Sequence, residues 1–392
     1  MNEPTPTQSP VFFSYGFRPF FLAGAIWAFV SLGVWLVVLE GLSELPSAFD
    51  PFAWHAHEMI FGFVGAIIAG FLLSAIAAWT GRPPVQGTPL IVLFVLWITA
   101  RLLVTYSAHA GAWIAAIVDV GFYVFLTVLA GREIVAAGNK RNYPIIGLLV
   151  ALTIANALMH MSVLELSDTR IMGERLGIGI VVLLIGLIGG RIAPAFTRNW
   201  LNRQGKAVTP PSLPIIDKVA HGLTAAAMLA WASDAFAGPA SILAIGAGIL
   251  QAWRMARWGG EKALGEPIVA VLHVGYAWVP IGLIMLGLTH WIDVINPNAA
   301  LHALTAGAMG TMILAVMTRA TLGHTGHAIS STSGTTAIFA FVVLAAVLRV
   351  LGPHSDDLYR ASLIASGVVW IMAFVLFVAL YGPYLVKPRS DA

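Results

Sequence analysis

The chain is a succession of long apolar stretches divided by short polar breaks, each close to the roughly 20 residues that one membrane-crossing helix needs. No other feature restricts the fold as strongly. Backbone in lipid must satisfy its own hydrogen bonds, and a helix does so within one segment. Composition agrees: 59% of the 392 residues are apolar and 10% are charged, against about 25% charged in a soluble domain. Length alone suggests two or three soluble domains. The hydropathy overrides that prior and predicts one all-α, polytopic membrane domain.

Twelve spans are predicted, near residues 17–40, 55–79, 88–107, 110–131, 143–164, 173–196, 214–235, 240–258, 267–290, 298–322, 334–351 and 358–382. Residues 1–16 and 383–392 are read as short tails around a single domain over 17–382. The start, Met1 to Pro10, is polar and lacks the basic region of a cleaved signal. The longest connection, from Thr197 to Pro214, is polar and holds the adjacent prolines Pro210 and Pro211.

Lys and Arg decide orientation, because positive loops stay on the cytoplasmic side. Loops after even-numbered spans hold Arg82, Lys140, Arg141, Arg198, Arg203, Lys206, Arg254, Arg257, Lys262 and Arg319, and the C-terminal tail adds Lys387 and Arg389. Loops after odd-numbered spans hold Glu44, Asp50, Asp168, Asp234, Asp293, Asp356 and Asp357, with Arg170 as their one clear positive charge. This alternation predicts an even number of spans with both termini cytoplasmic. Membrane lipid is then the obligatory partner. Nucleic acid is excluded, since no basic cluster alternates with exposed aromatics.

Spans 2 and 10 share a pattern. His57, Gly62, Gly65 and Thr80-Gly81 recur as His302, Gly307, Gly310 and Thr325-Gly326, at a constant offset of 245. The match predicts a parallel repeat, with spans 1–4 corresponding to 9–12 and 5–8 as a diverged middle unit in which Glu174 and Gly179 fall where His57 and Gly62 would predict. Taken singly, the glycines fit close helix packing. Packing alone leaves the two histidines at one depth unexplained.

Ionisable residues inside a bilayer are functional candidates, and the eleven histidines fall into layers. His55, His57, His109, His160, His290 and His302 lie toward the outer surface, and His221, His273, His324 and His327 toward the inner one; His354 falls in an outer loop. Two histidines at equal depth on different helices can hold haem iron from both faces. Gly62 and Gly65, at roughly 140° and 80° from His57 around a regular helix, would leave flat space beside the ring, as would Gly307 and Gly310 beside His302. His55 and His57 point roughly 160° apart on such a helix. His55 and Glu58 share a face, as a metal-ligand couple or a hydrogen-bonded cap. The inner histidines outline a second metal site or a solvated end. Met309, Met312 and Met317 are soft copper ligands or packing filler. Arg101 and Arg349 either neutralise haem propionates or snorkel to headgroups. Asp119, near mid-membrane, is a proton-relay candidate or the partner of a nearby polar group. With no cysteine in the chain, disulfides, iron–sulfur clusters and thiolate metal sites are excluded.

The runs Phe17-Arg18-Pro19-Phe20-Phe21, Trp54-His55-Ala56-His57-Glu58-Met59 and Thr80-Gly81-Arg82-Pro83-Pro84 resemble the NnrS family. So do Arg191 with Pro194 and Phe196-Thr197, Leu272-His273-Val274-Gly275-Tyr276, and the stretch from His302 through Thr305-Ala306-Gly307 to Met317-Thr318-Arg319-Ala320 and Gly323-His324-Thr325-Gly326. The resemblance covers nearly the whole chain. It implies a bacterial inner-membrane protein carrying haem b and copper, linked to nitric oxide response, denitrification and resistance to nitrosative stress, with nitric oxide as ligand and an electron donor that the sequence does not identify. It leaves open whether nitric oxide is turned over by an oxidoreductase, sensed, or held by a non-catalytic sink. A solute or metal transporter is the competing class for twelve helices with a repeat.

A more distant likeness is to the catalytic subunits of haem–copper oxidases. His55-Ala56 with Met59-Ile60-Phe61 is similar to their second-helix motif, and it implies three groups of four helices with a haem between helices 2 and 10. That motif favours His55 as ligand; the internal repeat favours His57, the reading preferred on sequence. Departures from the oxidase pattern are Ala300 where a second helix-10 histidine would stand, and span 6, which has no histidine.

Overall fold

The computed structural model describes residues 10–206, 213–234 and 237–390. The expected tail residues 1–9 and 391–392, and the prolines of the longest connection, lie outside the described residues. Among those described, every element is helical. The long rods are α1 (Phe17–Leu39), α2 (Pro51–Thr80), α3 (Thr88–Thr105), α4 (Ala112–Ala136), α5 (Tyr143–Val163), α6 (Arg170–Arg203), α7 (Pro214–Ser233), α8 (Ala237–Ala256), α9 (Pro267–Leu288), α10 (Pro297–His324), α11 (Ser333–Leu351) and α12 (Tyr359–Val386). Ten of these are long and apolar enough to cross a membrane, which marks a membrane protein. The two outside that set are α7 and α8. Asp217, Lys218 and His221 on α7, and Gln251, Arg254 and a run of small residues on α8, lower their hydropathy.

Starts and stops follow local chemistry. α2 begins at Pro51, earlier than its apolar run predicts, because the Asp50 carboxylate accepts from the Phe52 and Ala53 amides, both at 3.0 Å. An acidic cap followed by proline is a strong helix start. α10 uses the same device, with Asn296 capping the Asn298 amide at 2.9 Å ahead of Pro297. At the other end of each shared pattern stands a left-handed glycine, Gly81 at φ 69° and Gly326 at φ 80°, a conformation that glycine adopts without strain.

α1 packs on α12, and each helix from α3 to α12 packs on its neighbour in sequence. α2, α6, α9 and α10 are the most deeply buried. They bury 78, 56, 61 and 67% of their apolar windows, whereas the other membrane-crossing helices bury 33 to 44%. α6 touches both α2 and α10. Outward-facing Val95, Leu102, Ile117, Val128, Ile154 and Val368 are exposed, as a lipid-facing surface requires. Most buried apolar residues from Phe17 to Leu385 form one continuous core, with Ala299, Ala303 and Val350 as a small separate group.

Three central helices each widen into a π-helix, over Glu58–Val64 in α2, Ile185–Gly189 in α6 and Ala303–Gly310 in α10. The segments in α2 and α10 begin at the same offset of 245 that relates their sequences. The segment in α6 does not follow Glu174 as the other two follow His57 and His302. A π-turn breaks the regular ladder and frees carbonyls. The Tyr123 hydroxyl donates to the Phe61 carbonyl at 2.6 Å, Trp97 Nε1 donates to the Gly62 carbonyl at 2.9 Å, and Arg254 donates to the Gly186 carbonyl at 3.0 Å.

Candidate functional site

His55 and His57 occupy the last regular turns of α2 before the π-helix opens at Glu58. Two positions apart, they leave the helix on opposite sides. His55 faces a cavity of about 620 Å³ enclosed by α1, α2, α6, α10, α11 and α12, within the roughly 300–1,000 Å³ that ligand sites occupy. His302 lines the same cavity from α10. The structure therefore brings His55 and His302 together, and it does not bring His57 to His302.

Both cavity histidines present a ligand-ready ring. His302 Nδ1 lies 2.7 Å from the Asn298 carbonyl oxygen. That contact fixes the N–H on Nδ1 and leaves the Nε2 lone pair free, as metal-bound histidines require. The His55 ring stacks on Trp35, centroids 4.2 Å apart and planes 23° apart, and its buried Nδ1 has no partner. Arg349 also lines the cavity, with a buried and unpartnered Nη1. The walls are largely apolar, with Leu32, Met59, Phe63, Met309 and Trp370 among them. The rim is charged: Glu40 and Arg360 form an ion pair there, beside Arg170 and Glu174. Such a cavity suits a flat apolar molecule that carries anionic groups and an atom able to take imidazole ligands.

On the other side of α2 lies a buried polar cluster supplied by α1 to α5. His57, Glu58, Asp119 and Asn156 have no exposed surface, and Arg101 and His160 have 2% each. His57 Nδ1 lies 3.0 Å from Glu58 Oε1 and its Nε2 lies 3.0 Å from Asp119 Oδ2. Arg101 donates to Glu58 Oε1 at 2.7 Å and pairs with Asp119 Oδ1. Trp27 donates to Glu58 Oε2 at 2.6 Å, Asn156 Nδ2 donates to Asp119 Oδ2 at 2.8 Å, and His160 Nε2 lies 3.0 Å from that same oxygen. His57, Asp119 and His160 have ligand atoms within 4.8 Å of one another, the geometry of a group that can hold a metal ion.

The glycines of the shared pattern serve contact more than open space. A Cβ on Gly62 would stand 2.7 Å from Glu58 Oε2, 2.7 Å from Trp27 Nε1 and 2.8 Å from Arg101 Nη1. One on Gly65 would overlap the Tyr123 hydroxyl, and one on Gly307 would meet Trp278 at 2.6 Å. Gly310 lies against Trp370 and is the one of the four that lines the cavity. Arg101 belongs to the cluster and Arg349 to the cavity, so the two arginines do not act together. Glu58 sits with His57 rather than with His55, held there by Trp27 and Arg101.

The inner histidines are not gathered. His221 Nδ1 lies 2.5 Å from the Asp217 carbonyl, and His273 Nε2 lies 2.7 Å from Thr197 Oγ1. His324 stacks against Tyr15 and Phe17, and His327 lies 2.9 Å from Thr325 Oγ1 and packs on Tyr384. Among the described residues no three-ligand group forms around any of them.

Sequence reasoning missed Asn156 and Trp27 as parts of the cluster. Asn156 and His160 stand four apart on one face of α5 opposite buried Asp119, a spacing that was available as a signal. No curated protein matches the chain. The family model described as NnrS protein matches residues 11–389, which takes in the cavity, the cluster and all twelve long helices, and the chain belongs to that family.

Proposed function

We propose that this protein spans the bacterial inner membrane twelve times, with both termini cytoplasmic, and holds a b-type haem between His55 and His302 in the service of nitric oxide response. The observation that carries the reading is the convergence of these two histidines, from α2 and α10, on one cavity. Family membership supports the nitric oxide role. The three central π-containing helices are the second members of α1–α4, α5–α8 and α9–α12, which supports three four-helix units of the kind the oxidase likeness implies.

Bound there, haem would supply one-electron chemistry. The remaining work falls to the chain. The Asn298 carbonyl orients His302, and the Trp35 ring holds His55 in place. Arg349 offers an unsatisfied donor to an anionic group inside the cavity, and Arg360 and Arg170 stand at its rim. The apolar walls suit the faces of a flat apolar ring.

The test is a reduced-minus-oxidised visible spectrum with haem extraction, on the parent and on His55→Ala, His302→Ala and His57→Ala variants. The expected result is a b-type spectrum in the parent and in His57→Ala, lost in the other two. An intact spectrum in both His55→Ala and His302→Ala, or a parent without haem, overturns the reading.

A further inference from the structure

The cluster around Asp119 does not close with protein atoms alone. Three nitrogens converge on Asp119 Oδ2: His57 Nε2 at 3.0 Å, His160 Nε2 at 3.0 Å and Asn156 Nδ2 at 2.8 Å. One carboxylate oxygen offers two lone pairs, and the other oxygen is already taken by Arg101. His57 Nε2 also lies 3.1 Å from Asn156 Nδ2. It would have to donate to the carboxylate and accept from the amide at once, while Nδ1 faces Glu58. Asn156 Oδ1, on a residue with no exposed surface, has no partner at all. The site thus has one donor too many and one acceptor unused.

We propose that a non-haem transition-metal ion sits among His57 Nε2, His160 Nε2 and Asp119 Oδ2, with the Asn156 amide oxygen as a fourth ligand once that amide is turned over. Oxygen and nitrogen of an amide are assigned from their neighbours, so turning it requires no movement of the chain. Metal–ligand bonds of about 2.0–2.2 Å place adjacent ligand atoms roughly 3.0–3.5 Å apart, and both imidazole nitrogens lie 3.0 Å from Oδ2. Glu58 on His57 Nδ1 completes the carboxylate–histidine–metal arrangement that orients such ligands. Glu58 is in turn held by Trp27 and Arg101.

The donor set of two imidazoles, a carboxylate and an amide, without thiolate, suits iron, copper or zinc. Charge points the same way. Glu58 and Asp119 against Arg101 leave one negative charge in a cluster nearly without exposed surface, and a cation offsets it. A proton on His57 is the competing occupant. The proposal is independent of the haem reading, since His55 and His302 take no part in the cluster.

The test is metal content by mass spectrometry on protein purified without chelators, with haem iron measured as pyridine haemochrome and subtracted. About one non-haem metal ion per chain is expected, lost in His160→Gln, which keeps its haem. His55→Ala should lose haem and keep the second metal, so the two readings fail separately. If His160→Gln does not fold, addition of Fe(II), Cu(II) or Zn(II) to stripped parent protein should raise its melting temperature. A folded parent with no non-haem metal and no such shift assigns the site to a proton and overturns the proposal. Metal that persists in both His160→Gln and Asp119→Asn overturns it as well.

Discussion

His55 and His57, two residues apart on α2, serve two different sites: His55 stacks on Trp35 in the cavity shared with His302, while His57 lies 3.0 Å from each of two carboxylates in the polar cluster. A helix turns roughly 200° in two residues, so one of them faces α10 only if the other turns away. Loss of His57 should therefore appear in stability before it appears in haem content. His57→Ala is expected to unfold at lower temperature in detergent with haem per chain unchanged. Haem loss without any change in melting would contradict this division.

Arg101 is the guanidinium between two buried carboxylates, Glu58 and Asp119. Removing one partner of a buried ion pair strands the other charges and destabilises by about 3–5 kcal/mol. Arg101→Met should show that loss in chemical denaturation. Arg101→Met combined with Glu58→Gln should recover part of it, because one stranded charge is gone. A double variant less stable than the single would argue against the pairing.

Gly62 is required by what stands beside it. A methyl group there would press on Glu58, Trp27 and Arg101, and overpacking of this kind costs about 1–3 kcal/mol. Gly121, on α4, has open space around it. Gly62→Ala should lower the unfolding temperature, and Gly121→Ala should leave it unchanged or raise it, since alanine is the better helix former. Equal effects at the two positions would remove the contact argument.

The Tyr123 hydroxyl satisfies the Phe61 carbonyl that the π-helix frees. Tyr123→Phe keeps the ring and leaves a buried acceptor unmet, a loss of about 1–3 kcal/mol. Hydrogen exchange should then rise across Glu58–Val64 relative to the rest of α2. Unchanged protection there would mean that the π-helix holds without this bond.

The absence of cysteine allows orientation to be read with single introduced thiols. Asp168→Cys and Asp234→Cys should react with an impermeant maleimide from outside the cell, and Lys262→Cys only after lysis. Asp234→Cys and Lys262→Cys both reacting only after lysis would show that neither α7 nor α8 crosses, and the twelve-span reading would fall to ten.

Much of the fold was legible in the sequence. Most of the long rods begin and end within a few residues of their predicted spans, because hydropathy and helix start signals such as Asp50-Pro51 and Asn296-Pro297 act locally, while α6 runs seven residues past its predicted end to Arg203. The glycine pattern located the widened segments of α2 and α10 without revealing them as π-helices. The candidate site was legible as a set of residues and not as an arrangement. His55, His57, Glu58, Arg101, Asp119, His160 and His302 all stood out as polar groups in apolar runs. Their division into two sites did not.

What the sequence by itself determined is the class of protein, the order of its helices, and which side chains must find partners inside apolar surroundings, since each depends on how a stretch of chain partitions between water and lipid. What only the tertiary structure decided is direction. The gap-free repeat favoured His57 as the partner of His302, yet depth says nothing about which way a side chain points around the helix axis. That angle is set by the packing of α2 against α1, α6 and α10, and by a π-helix whose freed carbonyls are satisfied by Trp97 and Tyr123 from other helices. Those partners lie far away in sequence, and their approach exists only once the helices have packed.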